Sequence, residues 1–202
     1  MALTFDMGGR VGDALAIAGY LVDHGVQASV FMTGAMADNT ATDAGRKVLA
    51  IVQAHPTQLR LGNHSYTHAD FTTLTAAQMA DELLRTEAAI ARTSTLDARP
   101  YFRPPSGAYN TAVLAGVGAA GYGLSIYWDI DTIDWRPINN PGGPAGPTAD
   151  QIVSKVLTNA KGGSIVLMHL GGYETYAALP RIVDGLRSRG FNLVNLDQLL
   201  GG

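Results

Sequence analysis

Ser164-Ile165-Val166-Leu167-Met168-His169-Leu170 is apolar without a break from Ile165 to Met168, and a histidine interrupts it near its end. A half-exposed strand alternates apolar and polar residues; a parallel strand covered on both faces does not. Working outward, short runs of the same kind recur at 2–6, 27–33, 58–63, 101–104, 124–130 and 191–196. Between them the apolar spacing predicts helices over 11–24, 42–54, 75–93, 110–120, 148–160 and 175–189. Thr75-Ala-Ala-Gln78 and Thr148-Ala-Asp-Gln151 have the pattern of capping boxes, and Gly25, Gly121 and Gly190 stand where helices end. Strand and helix alternate along the whole chain, so an α/β fold with a parallel sheet is expected. Pattern alone leaves open a doubly wound sheet or a closed barrel. The Pro/Gly-rich stretch Arg136–Pro147 breaks the rhythm and reads as a rim loop, since the segment 148–202 is marginal in length for a separate domain.

Composition narrows the function. The chain has 202 residues, 47% hydrophobic and 15% charged, with 14 Lys plus Arg against 17 Asp plus Glu. It is long enough for one full core, and residues 1–202 are expected to form a single domain. A net charge of −3 gives no electrostatic reason to expect nucleic acid as a partner. No apolar run is long enough to span a bilayer, and nothing points to a protein partner. The absence of Cys excludes disulfides, thiolate metal sites and a Cys nucleophile, so a metal would have to sit on His and carboxylates. The abrupt opening Ala2-Leu-Thr-Phe-Asp6 leads one to expect a trimmed domain, whose export signal, if any, would lie outside this sequence.

The reactive side chains fall at strand ends. Asp6 follows the first strand, His64 and His68 the third, Arg103 the fourth, Asp131 and Asp134 the fifth, and His169 the sixth. In a parallel barrel these ends meet on one face, where active sites are built, so the clustering favours barrel-like closure. His64-Ser-Tyr-Thr-His68 has the spacing of one helical turn, which lets two imidazoles bind one metal. Arg103-Pro-Pro-Ser-Gly107 is rigid; it can hold a guanidinium against a carboxylate and present the Ser106 N–H to an oxyanion. A carboxylate such as Asp134 on one nitrogen of His169 would leave the other free for proton transfer, with Trp135 as core or pocket wall. His24 and His55 end helices and are read as structural.

Together Thr4-Phe-Asp-Met-Gly8, His64–His68, Arg103–Gly107, Asp131-Thr-Ile-Asp-Trp135 and Leu167-Met-His169 resemble the five ordered motifs of the polysaccharide deacetylases, the NodB homology domain of carbohydrate esterase family 4. The resemblance implies a distorted (β/α) barrel of about seven parallel strands. It also implies metal-dependent hydrolysis of N-acetyl or O-acetyl groups on a glycan such as peptidoglycan, chitin oligomers or acetylxylan. By the same resemblance Asp6 is the base acting on metal-bound water, and Arg103 keeps it ionised. His64 and His68 are metal ligands, for Zn²⁺ or alternatively Co²⁺. The Ser106 N–H stabilises the oxyanion, His169 oriented by Asp134 is the acid, and Trp135 and Leu167 line the acetyl pocket. An extracellular or cell-envelope location goes with it.

Met7 departs from the pattern, for the family carries there a second Asp that is the third protein ligand. A neutral thioether is a poor ligand for zinc, so a two-histidine site would bind more weakly or recruit Asp6, Asp13 or Asp70. This leaves two alternatives: a catalytically impaired glycan-binding relative, or a deacylase of another small amide.

Overall fold

The computed structural model describes residues 1–201. Seven parallel strands form one sheet: β1 (Ala2–Met7), β2 (Ala28–Met32), β3 (Leu59–Asn63), β4 (Tyr101–Phe102), β5 (Leu124–Ser125), β6 (Ile130–Asp131) and β7 (Ile165–His169). Their order is β5-β4-β3-β2-β1-β7-β6. The edge strands β5 and β6 are consecutive in the chain, so residues 126–129 cross from one edge of the curled sheet to the other. Ile126 N–H binds Phe102 O on one side and Asp129 N–H binds Ile165 O on the other. The result is the expected distorted barrel, a half-barrel closed along one side by backbone that is not strand.

Among the described residues eight α-helices surround it: α1 (Ala14–Asp23), α2 (Gly34–Asp38), α3 (Ala44–Ala54), α4 (Ala76–Ala91), α5 (Thr111–Ala119), α6 (Ala149–Asn159), α7 (Thr175–Ser188) and α8 (Leu196–Leu200). Both capping boxes form, at Thr75 with Gln78 and Thr148 with Gln151. Gly25, Gly121 and Gly190 take φ of 57°, 91° and 81°, the left-handed conformation that ends a helix at low cost for glycine.

Two strand expectations are corrected. The run 124–130 is two short strands on opposite edges, because the chain must cross the gap. The run 191–196 is no strand: Asn195 caps α8 by accepting Gln198 N–H, and the preceding coil lies against the amino terminus, where Met1 N binds Asn192 O and Val194 N–H binds Met1 O. Helix α2, with Thr33 as its N-cap, is too short to leave a periodic signal in the sequence.

Alternation along β1 separates two environments. Leu3, Phe5 and Met7 join the main apolar core beneath the helices, while Ala2 joins a smaller interior cluster with Phe31, Tyr101, Ile126 and Leu196. Thr4 and Asp6 share that inner side and meet Arg103. In register with them on β7 are Leu167 beside Thr4 and His169 beside Asp6. The inner layer therefore turns from apolar to ionisable toward the carboxyl ends of the strands. Gly62 on β3 leaves room for the Phe31 ring, which a Cβ would meet at 2.5 Å.

Candidate active site

At the carboxyl ends of the strands lies a cavity of about 470 Å³ lined by Asp6, His64, His68, Ser106, Trp135, Leu167 and His169, with Gly8, Pro104, Trp128 and Asp131. Arg103 and Asp134 stand directly behind it, 0% and 1% exposed. The nine residues singled out from the sequence are thus brought together.

One wall is organised by Arg103. Its Nη1 donates to Asp6 Oδ1 at 2.7 Å, Nη2 to Thr4 Oγ1 at 2.8 Å and Nε to Ile126 O at 3.2 Å. The guanidinium lies 4.2 Å from the Phe31 ring centre and 5.4 Å from that of Trp128. A buried charge needs such complete pairing, since its desolvation is costly. Burial pushes the Asp6 carboxyl up, but Arg103, helped by His64 and His169, prevails and holds it below the ordinary carboxylate range. Asp6 is accordingly a carboxylate at neutral pH.

Arg103 also fixes His64: its carbonyl accepts from His64 Nδ1 at 2.9 Å, which leaves the Nε2 lone pair free, 3.3 Å from Asp6 Oδ2. Burial, opposed by the Asp6 charge, lowers the His64 pKa to about 4, and burial likewise lowers that of His68. Both rings are neutral near pH 7, the form that can ligate a metal. Their centroids are 4.8 Å apart at 77°. They meet through a loop, not the expected helical turn: Ser65 and His68 both have left-handed φ, 65° and 63°.

The adjoining wall is built on Asp134. Its Oδ1 accepts His169 Nδ1 at 2.7 Å, and its Oδ2 accepts the His169 backbone N–H at 2.9 Å and the Thr175 hydroxyl. The turn that delivers it passes through Ile133 at φ 60°, a demanding conformation for a β-branched residue, held by Ile133 N–H on Asp131 Oδ1. Gly172 permits this approach, because a Cβ there would sit 2.5 Å from Asp134 Oδ2. Burial pushes the His169 pKa down, but the hydrogen bond and charge of Asp134 outweigh it, and the net shift is upward. His169 Nε2 remains for exchange with the cavity. Between the walls, Trp135 is half exposed on the rim, and Leu167 forms an apolar patch. The Gly107 and Ala108 N–H groups bind back to Pro104 O and Pro105 O, so the Ser106 N–H is the amide that this turn does not itself consume.

Met7 does not face this space. It is fully buried in the core on the opposite side of β1 from Asp6. Among the described residues no group of three or more His, Asp and Glu side chains could hold a metal ion. Two neutral imidazoles are donors of the kind a divalent ion takes, and no third protein ligand joins them. Asp13 and Asp70, considered from the sequence as substitutes, do not line the cavity, and Asp70 Oδ1 is engaged by Thr72 N and Oγ1. Sequence reasoning missed Trp128 and Thr175, which have no motif signal, and gave no role to Thr4, which stands in the first motif. His24, stacked on Tyr20, and His55, which caps α3, lie outside the cavity as expected.

Fold and cavity together define an α/β half-barrel with a strand-end site of paired acid and base groups. The family model described as polysaccharide deacetylase matches residues 1–124, and the chain belongs to that family. It is 30% identical over its full length to the peptidoglycan-N-acetylglucosamine deacetylase PgdA of Listeria monocytogenes and spans about two fifths (39%) of that protein. It is 31% identical to a chitooligosaccharide deacetylase of Bradyrhizobium sp., with 98% of this chain and 89% of that one covered. Among solved structures, a CE4 family pseudoenzyme from Bacillus anthracis superposes with a TM-score of 0.79 at 27% identity, covering 98% of this chain and 64% of that one. A mutant of that pseudoenzyme with restored activity gives 0.80 at 28%, with 98% and 66% covered.

Proposed function

We propose that this protein hydrolyses acetyl groups, N-linked or O-linked, on a glycan of the peptidoglycan, chitin-oligomer or acetylxylan kind, in the cell envelope or outside the cell. The observation that carries the reading is the pair of dyads, Asp6 with Arg103 and His169 with Asp134, which adjacent strands bring side by side to one cavity. A protein that only bound sugar would have no need of a fixed carboxylate on one wall and a titratable imidazole on the other. The deacetylase names of the relatives in Listeria and Bradyrhizobium support the same substrate class.

In this reaction Asp6 takes a proton from water, and Arg103 keeps it ionised to do so. The Ser106 N–H donates to the oxygen that gains charge as the acetyl carbon becomes tetrahedral. His169, held through Nδ1 by Asp134, gives the Nε2 proton to the departing amine or alcohol. Trp135 and Leu167 contact the acetyl methyl and the sugar. His64 and His68 are the residues that would hold a divalent ion, Zn²⁺ or Co²⁺, whose chemistry is to polarise the carbonyl and acidify water.

Met7 favours a second reading, a relative that binds glycan without turnover, and the likeness to a pseudoenzyme points the same way. Acetate release from N-acetylglucosamine oligomers and acetylated xylan separates the two. Chelator-stripped protein is assayed with and without added Zn²⁺ or Co²⁺. Release that depends on metal supports the hydrolase; saturable oligomer binding with no release under any condition establishes the binder.

A further inference from the structure

Glu82 lies on α4, is 7% exposed, and plays no part in the chemistry above. Its Oε2 accepts the backbone N–H groups of Tyr66 at 2.8 Å and Thr67 at 2.7 Å, and its Oε1 accepts the Thr67 hydroxyl at 2.8 Å. Tyr66 and Thr67 belong to the three-residue link between His64 and His68. The other amides of this loop bind within it or to the sheet: Ser65 N–H to Asn63 Oδ1, His68 N–H to Ser65 Oγ and His64 N–H to Met32 O. The Ser65 and Tyr66 carbonyls accept from the Gly34 and Ala35 N–H groups at the start of α2. The loop is thus gripped from two sides, its carbonyls by α2 and its central amides by Glu82.

The grip is needed because two non-glycine residues of the loop, Ser65 and His68, stand in left-handed backbone conformations. Such conformations persist only where surrounding bonds impose them. Hydrogen bonds from N–H to a carboxylate are stronger than those to a neutral acceptor. A carboxylate also accepts on both oxygens, whereas an amide accepts on one. Three donors converge on Glu82, so its charge and its second oxygen are both used.

We propose that Glu82 is a positioning residue: its buried carboxylate sets the backbone of residues 65–67 and, through it, the angle at which the His64 and His68 imidazoles face one another. The consequence for ion binding rests on the reading of those two imidazoles as the metal site. Residues that orient metal ligands from behind typically change affinity by about 10–100-fold when altered.

The test compares wild type, Glu82→Gln and, as a structural control on the same helix, Glu87→Gln. Glu87 bonds to Arg99 and to Tyr122, whose hydroxyl accepts from Asn63; it bonds to none of the loop amides itself, and glutamine there keeps an oxygen for Tyr122. In metal-free protein, Glu82→Gln is expected to speed hydrogen exchange at Tyr66 and Thr67 and to shift the NMR signals of the His64 and His68 rings. Competition against a chelating dye is expected to give Zn²⁺ affinity at least about tenfold weaker than wild type. Glu87→Gln is expected to lower Tm while leaving the ring signals and Zn²⁺ affinity unchanged. Unaltered exchange and ring signals in Glu82→Gln overturn the proposal, as do equal ring shifts in both variants. If wild type binds no Zn²⁺, the metal reading fails by itself, and exchange with ring signals still decides the role of Glu82.

Discussion

The two walls of the cavity solve opposite problems with the same kind of pair. On the β1–β4 wall, Arg103 and Asp6 are almost wholly buried, and the arginine is bonded at Nε, Nη1 and Nη2, so the charge on Asp6 is fixed. On the β6–β7 wall, Asp134 is buried but the His169 side chain keeps 22% of its surface, so a proton can enter and leave. One wall stores a charge; the other exchanges one. A base that must stay ionised and an acid that must be recharged each cycle call for that division.

Breaking the first wall should cost most. Arg103→Ala leaves Asp6 buried without its partner, and loss of one member of such a pair typically destabilises by about 3–5 kcal/mol. In a protein of this size that corresponds to roughly 10 °C in Tm, readable by calorimetry, together with loss of turnover. A Tm within a degree of wild type would show that the wall is not held by this pair. His169→Ala on the second wall should lower Tm less, because Asp134 keeps the Thr175 hydroxyl and the backbone N–H of residue 169, yet lower kcat by about 10²–10⁴-fold. Equal loss of stability in both variants would erase the distinction between the walls.

Smaller changes sharpen the comparison. Met7→Asp should lower Tm and leave Zn²⁺ affinity, measured against a chelating dye, unchanged, because position 7 faces the apolar core and not the imidazoles. Binding tightened at least about tenfold, roughly 1.4 kcal/mol, would mean that residue 7 can turn into the cavity and supply the missing ligand. Asp134→Asn addresses the direction of the His169 shift. The protonated imidazole is the active acid, and Asp134 raises its pKa, so the alkaline limb of the pH–rate profile should lie above 6.5 in wild type. The variant loses the raising charge, and its limb should move to lower pH; an unmoved limb would assign it to another group.

Much of this arrangement is legible in the chain itself. The apolar run at Ile165–Met168 and the capping boxes at Thr75 and Thr148 are local signals, set by burial and by unsatisfied helix amides, and they survive folding. The clustering of Asp6, His64, His68, Arg103, Asp134 and His169 follows from parallel topology, which puts all strand ends on one face. What escapes is what depends on the assembled barrel. Residues 124–130 read as one strand because each half is apolar, while only closure makes the chain cross from β4 to β7. Phe191 and Leu193 read as strand because they pack on the core, yet the segment ends in the Asn195 cap of α8. The inward face of Asp6 and the outward face of Met7 follow from strand alternation, whereas the grip of Glu82 on Tyr66 and Thr67 joins positions that no spacing rule connects.

The central claim is that the fixed carboxylate does the chemistry on an otherwise intact scaffold. Acetate release by Asp6→Asn should therefore be measured beside wild type, at saturating Zn²⁺ and on the same N-acetylglucosamine oligomer. The expected result is bound oligomer, a folded protein and turnover reduced at least about 10²-fold; wild-type turnover from Asp6→Asn would contradict it.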